Sequence, residues 1–108
     1  MSSFKSALSA CGLSLSEAAE FLPARYDTVK KWAQGKNPPP QGVWEQLAEL
    51  FERIQDAADY AADKMAVEGV EPRAWGNIEA DTGLDPLPEG AARVAGAMAL
   101  LMVVRAHE

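Results

Sequence analysis

"LSLSEAAEFLPARYDTVKKWAQGKNPPP", Leu13–Pro40, sets four cations, Arg25, Lys30, Lys31 and Lys36, around Val29 and Trp32 in a chain whose net charge is −6. The stretch divides at Pro23. Before it, "SLSEAAEFL" offers Ser14 or Ser16 as an N-cap, Glu17 in the positive first turn, and Ala18, Phe21 and Leu22 on one apolar face. Ala19 is a small contact residue. Pro23 stops this helix, because its ring clashes with the preceding turn and its N–H is missing. After it, "RYDTVKKWAQG" places Val29, Trp32 and Ala33 at i, i+3 and i+4, facing inward, and Gly35 supplies a left-handed cap. The stretch therefore reads as two short helices joined by a tight turn, the second apolar inside and polar outside.

Helix continues on both sides. "SSFKSALSACG" spaces Phe4, Leu8 and Cys11 at i, i+4 and i+7, with Ser2 or Ser3 to cap the start and Gly12 to end it. "KNPPP" is an extended connector whose last proline fits the first turn of a new helix. In that helix Val43, Leu47, Leu50, Ile54, Ala57 and Ala61 alternate steps of four and three, and Met65 continues them. No Gly or Pro interrupts residues 43–68, so the helix reaches roughly 40 Å. Trp44, Ala48 and Phe51 add a second row, which predicts packing on both sides of its first half. The alanine-rich second half reads as a narrow seam against one partner helix. Residues 69–88 have no clear period and read as a connector with a short turn near Ile78. Glu89 to His107 is helical in pattern and apolar on nearly all sides. The predicted fold is all-α: an N-terminal helix-turn-helix bundle over residues 1–52, then a region 53–108 holding the end of the long helix, the connector and a C-terminal dimerisation helix.

Composition limits what such a chain can do. With 108 residues and 48% hydrophobic content it can bury a small core. Its single cysteine, Cys11, permits no intramolecular disulfide and fits a reducing cytoplasm. The N-terminus lacks the apolar run of a signal peptide. The longest apolar run, Val94 to Val104, is short of the roughly 20 residues a bilayer span needs, so no membrane partner is expected. Charge is polarised. Residues 1–44 carry Lys5, Arg25, Lys30, Lys31 and Lys36 against Glu17, Glu20 and Asp27, a net of +2, and residues 45–108 carry five basic and thirteen acidic residues, a net of −8. The carboxylates of "EQLAELFERIQDAADYAAD" recur every three or four residues, as on the solvated side of an amphipathic helix. Cys11 reads as an inert buried thiol and His107 as a residue of a frayed end. No metal cluster, nucleophile–base pair or phosphate loop stands out, so no enzyme, metal or cofactor is expected.

Two helices meeting at a sharp angle form a rigid wedge that can project the second helix into a major groove. Such a wedge needs a small residue where the axes touch, here Ala19, inward anchors, here Val29 and Trp32, and a polar, basic outer side. In this register Leu13, Ser14, Ala19, Val29, Trp32, Gly35 and Pro39 resemble the helix-turn-helix of the Cro/C1-type (Xre-like) transcriptional regulators. The resemblance covers Phe4 to Leu50. It departs at Pro23, where the family carries glycine, and this predicts a turn of another shape with the second helix starting a residue earlier or later.

The resemblance implies double-stranded operator DNA as partner. It implies base contacts from Arg25, Tyr26, Asp27, Thr28 and Lys31, and phosphate contacts from Ser14, Ser16, Lys30, Gln34, Lys36 and Asn37. Asp27 either accepts from cytosine N4 or caps the helix, and Ser16 serves as phosphate contact or cap. It further implies a cytoplasmic, nucleoid-associated repressor of phage or bacterial type acting as a homodimer, a layout similar to that of anti-CRISPR-associated repressors. The stripe Ala57, Ala61 and Met65 and the C-terminal Met98, Leu100 and Leu101 lack an obvious intrachain cover and are the expected dimer interface. Three alternatives stand beside this reading. One is an antitoxin that represses its own operon and binds a protein partner through its acidic C-terminal half. Another is an RNA-binding regulator using the same basic face, and the third is an interaction module that keeps the fold without binding nucleic acid.

Overall fold

Local caps set the first three helices. The computed structural model describes residues 2–69 and 87–106, which form α1 (Ser3–Ala10), α2 (Leu15–Phe21), α3 (Tyr26–Ala33), α4 (Gln41–Glu68) and α5 (Glu89–Ala106), with no strand among the described residues. The turn expected near Ile78 and the terminal His107 lie outside the described residues. Ser2 caps α1, its Oγ accepting from the Lys5 N–H at 3.1 Å. Gly12, at φ +70°, ends it: the Leu13 N–H reaches the Leu8 carbonyl at 2.9 Å and the Gly12 N–H reaches that of Ser9 at 3.0 Å. These are the paired bonds of a Schellman turn. Gly35, at φ +77°, repeats the pair after α3, with Lys36 N–H on the Lys31 carbonyl and its own N–H on that of Trp32. α2 opens in a capping box: Ser14 Oγ accepts from the Glu17 N–H at 3.1 Å, and Glu17 Oε1 accepts from the Ser14 N–H at 3.3 Å.

Pro23 occupies the equivalent position after α2. The Ala24 N–H reaches the Ala19 carbonyl at 3.1 Å, the first bond of the same turn, and Pro23 sits at φ +23°. The turn therefore keeps one bond of the glycine-type turn but differs from it in backbone angle, +23° against +70° at Gly12 and +77° at Gly35. The second bond is missing because proline has no N–H. The angle lies between the roughly −65° the ring prefers and the roughly +57° of the left-handed region, so the turn is strained. α3 then starts at Tyr26 with Arg25 as its N-cap.

Phe4 ties the N-terminal helices together. Its ring meets Trp32 of α3 edge-on at 5.7 Å and Trp44 of α4 edge-on at 5.8 Å. Each such pair adds about 0.5–1.5 kcal/mol beyond area burial. Around it Leu8, Leu13, Ala18, Leu22, Val29, Leu47, Leu50 and Ile54 close one hydrophobic cluster. Ser2 Oγ also donates to the Ala33 carbonyl at 2.7 Å, fixing the end of α3 against the start of α1.

α4 runs as one helix of 28 residues, with Pro40 as its N-cap rather than in its first turn. Its seam is covered by α5 of the same chain. Ala57 and Ala58 share the main cluster with Ala91 and Ala95, and Ala62 and Met65 form a second cluster with Ala99 and Val103. Small residues on α5 allow this close approach: Gly90, Ala91, Ala92, Ala95, Gly96 and Ala99 are all buried. The expectation that the Ala57–Ala61–Met65 stripe and the C-terminal helix each lack an intrachain partner is therefore corrected, because they cover each other. The expectation of packing on both sides of the first half of α4 is corrected too. Trp44 is half-buried, but Ala48 and Phe51 are exposed.

Candidate functional site

The site is the outer side of α3 with the loop that follows it. Val29, Trp32 and Ala33 are buried, at 0%, 9% and 7% exposure, and fix the rotation of the helix about its axis. At about 100° per residue, Asp27, Lys31 and Gln34 then point most directly away from the core, and Thr28 and Lys30 fall on opposite flanks. Arg25, Tyr26, Asp27, Lys30, Lys31 and Gln34 are exposed, Thr28 is half-buried, and Lys36 and Asn37 are exposed in the loop. Among the described residues none of Arg25, Lys30, Lys31 and Lys36 makes an ion pair. Four exposed cations, the amides of Gln34 and Asn37 and the hydroxyls of Tyr26 and Thr28 thus lie along little more than two helical turns and the loop that follows.

The serines differ from the expectation in detail. The Ser14 N–H is taken by Glu17 and its Oγ accepts from the Glu17 N–H, so only its hydroxyl proton remains for an outside acceptor. Ser16 is exposed and is not the cap. Asp27 stands in the first turn of α3, two residues past the N-cap, where its charge complements the helix dipole rather than capping the end. The spacing Ser14-x-x-Glu17 is the sequence signal of the capping box and marks Ser14, not Ser16, as the cap.

The expected interface residues are dispersed. Ala57 and Met65 are buried under α5; Ala61, Met98 and Leu100 are half-buried against the same clusters; Leu101, at 69% exposure, faces water. Cys11 is buried, its Sγ 3.8 Å from the Leu47 carbonyl, and burial pushes the thiol above its ordinary range. An open cleft of about 370 Å³ beside α2 and the start of α5 is lined by Glu17, Glu20, Phe21, Pro88 and Glu89. Its three carboxylates give it the wrong sign for an anion. Among the described residues no group of three or more His, Cys, Asp or Glu side chains is placed to hold a metal ion. No helix there is long and apolar enough to cross a membrane.

Some of the contacts that fix the helices are ones the periodicity does not reveal. Ser2 reaches the Ala33 carbonyl across 31 positions, and Glu17 reaches the Gly90 N–H at 3.1 Å across 73. The chain matches no protein-family model, no curated protein and no solved structure, so the reading of this surface rests on its own geometry and chemistry.

Proposed function

We propose that the chain is a sequence-specific DNA-binding regulator that reads an operator through the outer side of α3 and acts as a homodimer on an inverted repeat. The observation that supports this best is the split of α3. Three apolar residues are locked into the core, and Arg25, Lys30, Lys31 and Lys36 face water around them without ion-pair partners among the described residues. Arg25 and Lys31 suit guanine O6 and N7, and Lys30, Gln34, Lys36 and Asn37 suit phosphates. The strongly acidic remainder of the chain repels DNA elsewhere and confines binding to this side. One short helix reads too few bases for tight discrimination, and a dyad doubles the contacts. Leu101, exposed on α5, is the interface candidate left uncovered by the intrachain packing. The reading places the protein with the chromosome in the cytoplasm and gives it a repressor's role by occlusion.

Selection from a pool of random duplexes tests the proposal. The expected product is an inverted repeat with half-sites about 10 bp apart, bound with an affinity that falls steeply between low and physiological salt. Enrichment of no sequence, or tighter binding to a hairpin RNA than to the selected duplex, refutes it.

A further inference from the structure

Between α1 and α4 lies an open groove of about 290 Å³, lined by Ala7, Ala10, Trp44, Leu47, Ala48 and Phe51 among others. We propose that it is a docking site for an amphipathic helical segment of another protein, one that presents bulky apolar anchors flanked by lysine or arginine. This goes beyond duplex recognition and uses residues apart from α3.

The first half of the inference is shape. The groove is walled by two aromatic rings and floored by small residues. Phe51 is 39% exposed, Ala10 and Ala48 are exposed, and none of the residues just named is charged. Within the second apolar row of α4, Trp44 packs on Phe4 of α1, and Ala48 and Phe51 meet water. Three alanines leave room for a side chain the size of leucine or phenylalanine. A groove between two helices accepts a third helix through anchors at i, i+3, i+4 and i+7.

The second half is charge. Glu45 and Glu52 each follow a groove-lining residue, Trp44 and Phe51, by one position, so they stand about 100° further round α4. Spaced seven apart, they form an acidic row along one edge of the groove. Both are exposed, and neither has an ion-pair partner among the described residues. The cations of α4, Arg53 and Lys64, lie beyond this row, a further 100–140° or so round the helix. A second copy of the chain brings the same acidic row with it, and an anionic ligand is repelled outright. A small apolar molecule finds no converging polar group to orient it. The occupant that satisfies both features is apolar in the middle and basic at its edge.

The test is calorimetric titration of the full chain with a synthetic helical peptide carrying leucine at i, i+3, i+4 and i+7 and lysine elsewhere. One-to-one binding is expected. It should weaken at least tenfold when the leucines become alanine, when the lysines become glutamate, or when the protein carries Ala48→Gln, which fills the groove from an exposed helix position. The double variant Glu45→Gln, Glu52→Gln, confined to the surface, should weaken binding and reduce its salt dependence. Binding of a selected duplex by Ala48→Gln should stay unchanged, which separates this site from α3. Equal affinity for the leucine and alanine peptides, or unchanged peptide binding by Ala48→Gln, overturns the proposal. So does a wild-type dimer that Ala48→Gln splits, because the groove is then a contact between copies.

Discussion

The Glu17 carboxylate closes two helices at once. One oxygen accepts from the Ser14 N–H at 3.3 Å at the start of α2, and the other accepts from the Gly90 N–H at 3.1 Å at the start of α5. Both helix ends carry partial positive charge, so a carboxylate suits both. The Gly90 N–H does most to hold the Glu17 carboxyl below its ordinary value of 4.5, against a smaller opposing effect of burial, and Ser14 and Arg93 add to the lowering.

A pH dependence follows from that shift. A carboxyl whose folded value is lowered contributes stability that is present above its ordinary value and lost as pH falls through the lowered one. Glu17→Gln should therefore be less stable than wild type at neutral pH, and the gap should shrink as pH falls below 4.5. Urea midpoints from pH 3 to 7 measure it. A gap that does not change with pH would show that the charge contributes nothing.

The same junction sets a steric limit. A Cβ built on Gly90 falls onto the Gly12 carbonyl, which is backbone and has nowhere to yield. Gly90→Ala should cost about 1–3 kcal/mol by forcing α5 away from the end of α1. Gly42, in the first turn of α4, has nothing within 4 Å of such a Cβ, so Gly42→Ala should be neutral or stabilising by up to about 1 kcal/mol. Thermal melts of the pair distinguish crowding at the junction from a general effect of removing glycine.

Pro23 offers a stabilising change. Glycine adopts positive φ without strain and restores the N–H that proline lacks in the turn after α2. Pro23→Gly should raise stability by about 1 kcal/mol, the relieved strain outweighing the greater freedom of glycine in the unfolded chain. A lower melting temperature would mean that the rigidity of proline before folding matters more than its strain within it.

Local signals were the legible ones. Gly12 and Gly35 as left-handed stops and the inward Val29 and Trp32 act within a turn or two of their own position and are readable from spacing, whereas the caps narrow only to Ser2 or Ser3 and to Ser14 or Ser16, of which the structure uses Ser2 and Ser14. The polar side of α3 follows from those anchors. Apolar periodicity, by contrast, says that a face needs cover and not what covers it. The rows at Ala57–Met65 and along α5 look alike whether they meet a symmetry mate or each other, and they meet each other. The row at Trp44–Phe51 looks buried and is left open. The reach of Glu17 to Gly90 depends on where the chain returns after residue 69, which no local pattern encodes.

The intrachain cover separates two substitutions that the sequence alone would class together. Ala57 is 1% exposed beneath α5, so Ala57→Glu buries a charge and should cost about 3 kcal/mol or more, unfolding the C-terminal half. Leu101 is 69% exposed, so Leu101→Asp should leave the melting temperature within a few degrees of wild type and shift a dimer toward monomer in ultracentrifugation. A Leu101→Asp protein that stays dimeric places the dyad elsewhere.

Lys30 and Lys31 provide the sharpest test of how α3 is used. With Val29, Trp32 and Ala33 buried, Lys31 points nearly opposite the core, and Lys30 stands about 100° away on one flank. A helix lying in a groove turns its outer side to the bases and its flanks to the sugar–phosphate walls. Lys31→Ala should relax preference at one or two operator positions, costing about 1–3 kcal/mol on the selected site and less on mismatched ones. Lys30→Ala should weaken every sequence alike and flatten the salt slope by about one unit. Binding profiles over all single-base variants of the selected operator, one for each mutant, carry the comparison. Uniform losses in both would assign base reading to Arg25, Tyr26 and Thr28, at the start of the helix.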